Sequence, residues 1–508
     1  MKFARAALVL AAAALTSSVM VTTDPDLWGH LTFGAATLEA GAVSQLDPYS
    51  YTAYGQQWIN HEWLAEVILA AIWDGAGAIG LWFLRFVLVA VTLWLAMAGV
   101  ASRTDKGLAV VVAFLPAWLT IDHGAAFRPQ LFTLAAFAVL VTVLRRTHSS
   151  ESLHRAWLLG LAPMFGVWAN LHGGFVAGLA VLAWAVVCDG VRATSREAWS
   201  RVGWSAAAVL AAILATLATP YGTSLWTWLH ESLTASRAGR IAEWASVFSY
   251  ERPLSLSGFF VLSVLVGAAL LGRRRPPTFD ATLLVATWLV ACLQVRHAPL
   301  FAIVAVGPIA RSVSSWLPER PLVEVGRRGG FMLLAGAVVF AVVAHLFPGR
   351  RPAVLLVPER AFPFGAFSRI ARSVDEARLL VSFDWAQAAI HHLSPRCRVA
   401  FDGRFRTVYS REVEDDYFAF ANGSVANARI GGEDATLILV PPTWRVTTAL
   451  ATDDEWIEVW RGANAVLFSR SGAHPRLEER RDVEAATAPD AARRFDAPLD
   501  LSPAGEKR

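Results

Sequence analysis

Two aspartates separated by a proline, Asp24-Pro25-Asp26, stand just beyond the first apolar stretch of a 508-residue chain. Carboxylates two residues apart concentrate negative charge. Such a pair can hold a divalent cation or take a proton from an attacking hydroxyl. The motif also reads as a helix start, in which Asp24 or Asp26 caps a helix beginning near Leu27 and Pro25 lies in its first turn. Capping accounts for one aspartate of the two, so both readings stay open. Further groups able to bind or transfer protons follow: His30, His61-Glu62, Arg85, Arg128 in Phe127-Arg128-Pro129-Gln130, Asn170 and His172, Tyr221 in Pro220-Tyr221-Gly222, and Arg296-His297. Taken singly, a His or Arg at a helix end is an interfacial anchor, and Arg85 a snorkelling side chain.

The elements that must position these groups are membrane helices. The chain is 55% hydrophobic and 17% charged, against about 25% charged in soluble domains. The deficit lies before residue 348. Apolar runs near 4–22, 79–100, 107–121, 129–146, 156–171, 173–190, 202–219, 256–272, 280–295, 297–314 and 329–347 predict about eleven spans. Lys and Arg test the orientation. With a cytoplasmic N-terminus, 17 basic residues fall in the inner loops and five in the outer ones. This puts the N-terminus in the cytoplasm, and the first and second long loops (23–78 and 219–255) outside. The apolar stretch 63–77 fits no twelfth span, because counting it would put Arg103, Lys106, Arg145 and Arg146 outside. It predicts a helix on the outer membrane face, hinged at Asp74-Gly75-Ala76-Gly77. The first twenty residues resemble a cleaved signal peptide in outline; an uncleaved span is favoured because the following chain is itself polytopic.

On this topology His30, His61, His123, His172 and His297 all lie outside, together with Asp24 and Asp26. Ionisable groups gathered at one depth near a membrane point to a site. No His-x-x-x-His spacing marks a zinc hydrolase. Cys188, Cys292 and Cys397 are too dispersed for a disulfide framework. The net charge of +4, distributed over inner loops, points to no nucleic-acid partner.

These residues resemble the GT-C superfamily of integral-membrane glycosyltransferases, which includes protein O-mannosyltransferases, the bacterial aminoarabinose transferase and the oligosaccharyltransferase catalytic subunit. The likeness runs to bacterial members. It is carried by Asp24-Pro25-Asp26-Leu27-Trp28-Gly29-His30, Asn60-His61-Glu62-Trp63-Leu64, Arg128-Pro129-Gln130, Asn170-Leu171-His172-Gly173-Gly174 and Pro220-Tyr221-Gly222, over residues 1–315, with an echo in Phe401-Asp402-Gly403-Arg404. Asp-Pro-Asp stands where many members carry Asp-Glu or Glu-x-Asp, and His61-Glu62 where they carry two prolines. The resemblance implies a polytopic α-helical membrane protein of the cytoplasmic (inner) membrane. It implies inverting transfer of a hexose or pentose from a polyprenyl-phosphate donor to a glycan, lipid or protein acceptor at the outer face. Asp24 and Asp26 are then the catalytic carboxylates and ligands of a Mg or Mn ion. His30, His61, Glu62, Arg85, Arg128, Asn170, His172, Tyr221, Arg296 and His297 bind substrate. A flippase of lipid-linked glycans and a non-catalytic assembly component are the competing functions.

The domain expectation is a membrane part over 1–348, an extracytoplasmic α/β domain over 349–472 and a disordered tail over 473–508. Within the second, strands are expected at 378–383, 398–401, 436–440, 456–460 and 465–469, with a helix at 385–393. Asp402-Gly403-Arg404 reads first as a turn closed by an Asp–Arg pair.

Overall fold

The computed structural model describes residues 2–19, 24–100, 107–149, 155–234, 242–272, 275–317, 356–358, 361–423, 428–479, 482–483, 492–495 and 499. The chain is largely α-helical, with several long apolar helices and a mixed α/β C-terminal region, as a multi-span membrane protein with a soluble extension would have. It divides into two compact units. One comprises residues 1–20 and 79–352, the other 21–78 and 353–508. The first long loop therefore folds with the C-terminal region rather than with the membrane helices that flank it in sequence.

In the helical unit, α1 is Lys2–Val19; α2, Leu27–Ala40, belongs to the other unit. The long α3, Trp63–Ala96, is broken at Gly77, where φ is +56° and ψ is −146°. Only glycine takes that conformation without strain. The break separates 63–76 from the apolar helix after it, at the hinge expected from sequence. Then follow α4 (Gly107–His123), α5 (Gln130–Ser149), α6 (Ala162–Leu171), α7 (Phe175–Val191), α8 (Arg196–Ala215), α9 (Ser224–Thr234), α10 (Ser257–Leu271), α11 (Thr278–Leu293) and α12 (Ala298–Trp316). Helix α12 is buried along nearly its whole length and packs against α4, α10 and α11. Its small residues, from Ala302 to Ala310, permit that close packing.

A helix falls on every expected span within the described residues, but the count of eleven is corrected. Five helical segments are long and apolar enough to cross a membrane: Trp63–Ala96, Gln130–His148, Arg196–Ala215, Pro253–Leu271 and Val295–Trp316. Five further apolar helices are shorter: Arg5–Ser17, Gly107–His123, Ala156–Leu171, Phe175–Val191 and Thr278–Leu293. Seventeen α-helical residues, the length of α4, rise about 26 Å, short of a hydrocarbon core of about 30 Å. The segment 156–171 loses continuity because Arg155–Leu161 is a 3₁₀ turn. The eleventh expected span, 329–347, lies outside the described residues.

Two ionic clusters escaped the sequence reading. Asp280 on α11 accepts from Arg145 Nε of α5 at 2.8 Å and from Arg311 Nη2 of α12 at 2.7 Å. His148 of α5 lies 3.3 Å from Asp189 of α7, which also accepts from the Ser205 hydroxyl. Arg145 and Arg311 are thus helix-to-helix ties and not merely loop charges. All these carboxylates have basic partners, which accounts for their burial without invoking a transport path.

The second unit is built on a six-stranded sheet. Its strands are β2 (Ala377–Val381), β3 (Cys397–Val399), β6 (Leu437–Val440), β7 (Trp456–Arg461), β8 (Val466–Arg470) and β9 (Asp482–Val483), in the order β3-β2-β6-β8-β7-β9. Two short pairs stand apart: β1 (Leu356–Pro358) with β10 (Ala492–Arg494), and β4 (Arg429–Ile430) with β5 (Glu433–Asp434). The helices are α13 (Phe364–Ser373), α14 (Phe383–Leu393), α15 (Arg411–Ala421), α16 (Arg445–Ala451) and α17 (Pro475–Glu478). All five strands and the helix expected from sequence are present. The β3–β2–β6 half is parallel, with α14 as the crossover between β2 and β3; β8 and β7 continue it antiparallel.

The first loop completes this sheet. Tyr51 N–H donates to the Val399 carbonyl and Val399 N–H to the Tyr49 carbonyl, so residues 49–51 run parallel alongside β3. Thr52 Oγ1 donates to the Ala400 carbonyl, and Ile59 N–H to that of Thr407. Part of the segment 473–508 is described. Phe495 is buried and stacks on Trp28 at 3.7 Å, and α17, β9 and β10 are ordered because each packs or pairs within this unit.

Candidate functional site

The expected site residues fall in two sets, one in each unit. In the sheet-containing unit, Asp24 carries the turn: its Oδ1 accepts from Asp26 N–H at 3.0 Å, and its carbonyl from Leu27 N–H. Asp26 occupies the N-cap position of α2 but makes no side-chain cap hydrogen bond. Asp24 thus closes the turn that leads into α2, and Asp26 Oδ1 lies close to Gly403.

His30 stands four residues, one helical turn, after Asp26, on the same face of α2. Its Nδ1 lies 3.2 Å from Glu66 Oε1. Asn60 Nδ2 donates to the other Glu66 oxygen at 2.6 Å, while Asn60 Oδ1 accepts from Glu62 N–H. His61 Nε2 sits 3.6 Å from Glu62 Oε1. Gly34 allows this assembly, since a Cβ there would fall 2.1 Å from the Glu66 carbonyl oxygen. The two helices thus approach closely enough for His30 to reach Glu66. The sequence reading missed Glu66. Its signal was a lone carboxylate in an apolar helix, one turn beyond Glu62 and therefore on the same face.

Burial alone would disfavour the His30 imidazolium. The hydrogen bond and charge of Glu66, then the charges of Glu62 and Asp26, outweigh it and raise the imidazole to about 9. His30 is cationic at neutral pH and donates to Glu66. Because the folded value lies above the free value of 6.5, this pair stabilises fully below about pH 6.5 and its contribution is lost as pH rises through about 9. The thermal midpoint of the full-length protein should fall between pH 7 and 10 by more in wild type than in His30→Gln. Parallel profiles for the two proteins would contradict a cationic His30.

His30, Glu62 and Glu66 present one ligand atom each within 4.8 Å of one another, the spacing of a divalent-cation site. A nitrogen with two carboxylates suits Mn or Zn better than Mg. His30 must lose a proton to serve as a ligand, so cation affinity would rise with pH. Among the described residues the group with this spacing is His30-Glu62-Glu66, whereas the sequence expectation placed the cation on Asp24 and Asp26.

Beside this set, Asp402 and Arg404 form the expected paired turn. Arg404 Nε and Nη2 bind Asp402 at 2.9 and 2.7 Å, and Nη1 binds Asp47 Oδ1 at 2.7 Å. The guanidinium lies 4.8–5.8 Å from the ring centres of Trp58, Phe33, Tyr49 and Tyr409. Asp47 also accepts from the N–H groups of Tyr49 and Ser50. The echo motif is thus a clasp between the first loop and the sheet.

The other set lies in the helical unit. Arg85 is 1% exposed; its Nε donates to the Ala125 carbonyl at 2.6 Å, its guanidinium lies over Phe127, and its Nη1 is buried with no hydrogen-bond partner among the described residues. Arg128, at the end of the same loop, binds Glu243 at 2.6 Å. Arg296 lies over the ring of Trp244 at 4.7 Å, and Val295 N–H donates to the Ala245 carbonyl. The segments 124–128, 242–247 and 292–297 therefore bring the three arginines into one neighbourhood. His172 Nδ1 accepts from Gly174 N–H at 3.0 Å and lies 2.8 Å from Thr133 Oγ1, near the start of α5. In the neutral ring this fixes the proton on Nε2. Asn170 donates to the Gly166 and Ala218 carbonyls and His297 Nε2 lies 3.1 Å from Gln294 Oε1, while Tyr221 is buried. Asn170 is thus a tie between α6 and the turn after α8.

Compared with protein-family models and with curated proteins, the chain matches none.

Proposed function

We propose that the protein is an inverting membrane glycosyltransferase. It moves a sugar from a polyprenyl-phosphate carrier to an acceptor hydroxyl at the outer face of the cytoplasmic membrane, with a cytoplasmic N-terminus and the sheet-containing unit outside. The observation that carries this reading is the division of labour in Asp24-Pro25-Asp26. Asp24 holds the turn, and Asp26 is an N-cap residue whose carboxylate does no capping, one helical turn from a cationic His30. Asp26 takes the proton of the acceptor hydroxyl as that oxygen attacks the anomeric carbon. The bond from that carbon to the carrier phosphate breaks on the opposite face, and the phosphate leaves with the bonding electrons. When bound, a divalent cation on His30, Glu62 and Glu66 would supply local positive charge.

Cells lacking the protein should accumulate the sugar-charged carrier lipid, detected by mass spectrometry of lipid extracts, and lose one envelope glycan. Restoring wild type should clear the lipid, whereas Asp26→Asn should not. Unchanged carrier lipids in the deletion strain would contradict the proposal.

A further inference from the structure

Asn60 is 5% exposed, and its carboxamide works in both directions. Its Nδ2 donates to Glu66 Oε2 at 2.6 Å, and its Oδ1 accepts from Glu62 N–H at 3.3 Å. Glu66 N–H donates to the Glu62 carbonyl at 3.0 Å, so the two glutamates stand one helical turn apart and share a face. One amide thereby holds Glu62 through its main chain and Glu66 through its side chain. The other Glu66 oxygen, Oε1, faces His30 Nδ1 at 3.2 Å.

Two ligand atoms bound about 2.0–2.2 Å from one ion, at angles between octahedral and tetrahedral, stand about 3–3.5 Å apart. His30 and Glu66 already have that separation, so both can bind one ion where they are, once the imidazole proton passes to solvent. Glu62 brings a third ligand atom within 4.8 Å of the other two, a gap that rotation of its side chain closes. A carboxylate offers about four lone-pair positions. Glu62 can therefore keep its contact with His61 at 3.6 Å, and Glu66 its bond from Asn60, while each gives the ion an oxygen. The charge balance also favours a cation. Glu66 is 3% exposed, and the charges of Glu66, Glu62 and Asp26 all act on the one imidazole. Buried charges are paired or coordinate metals, and one imidazolium does not neutralise three carboxylates.

We propose that the first loop holds one manganese or zinc ion on His30, Glu62 and Glu66, and that Asn60 is the positioning residue that aims Glu66 at it. Partners behind the ligands fix their orientation and set the affinity of a metal site. Three protein ligands leave a position for an outside oxygen, as catalytic zinc sites do. The site deepens the sugar-transfer reading and rests on it for its use, but its test needs no turnover.

Full-length protein in nanodiscs, stripped with a chelator, is titrated with manganese(II) alone, and the loss of the free-ion EPR signal counts bound ions. A second titration uses cobalt(II), whose visible bands report nitrogen ligation. Wild type should bind one ion per chain, with the bands of a site that includes an imidazole. Glu66→Gln and His30→Gln should abolish binding, whereas Asp24→Asn should leave the affinity within a few-fold of wild type. Asn60→Leu, close in size, should weaken binding by about 10–100-fold; Asn60→Ser takes its place if the thermal midpoint of the leucine variant shows misfolding. No ion bound by wild type, undiminished binding in Glu66→Gln, or binding lost in Asp24→Asn and kept in His30→Gln would overturn the site. Wild-type affinity in a folded Asn60 variant would overturn the positioning role. Turnover of a polyprenyl-phosphate sugar, measured in parallel, separates the two claims. Ion binding with the expected pattern of variants but without sugar transfer sinks the transfer reading alone. Sugar transfer by a wild type that binds no ion sinks the metal site alone.

Discussion

Asp26→Asn should lower sugar transfer by roughly a hundred- to ten-thousand-fold, the range expected for loss of a general base, while Asp24→Asn should leave activity within a few-fold of wild type. The asymmetry follows from the hydrogen bonds. Asp24 Oδ1 accepts one backbone N–H, and an asparagine carbonyl can do the same; Asn and Asp cap about equally well. Asp26 makes no side-chain cap bond, so an amide of the same shape there leaves the start of α2 capped as before and removes the basic oxygen. Circular dichroism and membrane yield should match wild type for both variants. Equal activity in the two variants, at whatever level, would remove the distinction between turn residue and base.

Arg404→Met should destabilise the sheet-containing unit by about 3–5 kcal/mol, the cost of stripping the partner from a buried ion pair. Asp47 and Asp402 are both fully buried, and Arg404 is the cation that binds them. Burial works against the guanidinium charge, but the two aspartates hold its pKa well above the ordinary arginine value, so it does not escape by losing its proton. Because Asp47 belongs to the first loop and Asp402 to the sheet region, both should loosen together. Limited proteolysis of the full-length variant, read by mass spectrometry, should show new cuts within 41–58 as well as in the C-terminal region. Cuts confined to the C-terminal region would mean that the loop holds its own structure. Arg404→Lys keeps the charge but not the fork that binds both aspartates, and should fall between the two.

The helices were legible because long apolar runs punctuated by Arg and Lys are a local signal. Their lengths were less so: a 3₁₀ turn at Arg155–Leu161 and an end at His123 depend on packing, not on apolar content. Strands β2, β3, β6, β7 and β8 were legible from alternation and β-branched residues. The Asp402–Arg404 turn was read correctly from spacing alone. Its third member, Asp47, was not, because nothing local links residues more than 350 positions apart. The same holds for the parallel pairing of residues 49–51 with β3, which turns an apparent membrane loop into part of a folded unit. Glu66, Asp280 and Asp189 were hidden among apolar neighbours, where hydrophobic pattern dominates and a single carboxylate changes little. Phe495 was invisible for another reason: a tail ring acquires meaning only from what it faces. The different hydrogen bonding of Asp24 and Asp26 was not legible either, because it depends on how the turn before α2 folds.

The central claim is tested most directly with the full-length protein in liposomes supplied with polyprenyl-phosphate sugars labelled in the sugar. The measurement is release of the uncharged carrier phosphate together with label in a water-soluble or lipid acceptor from the same membranes. The account predicts release by wild type, with inversion at the anomeric carbon, and loss of release in Asp26→Asn at unchanged protein level. Labelled carrier that crosses the bilayer with its sugar still attached, or release undiminished in Asp26→Asn, would contradict it.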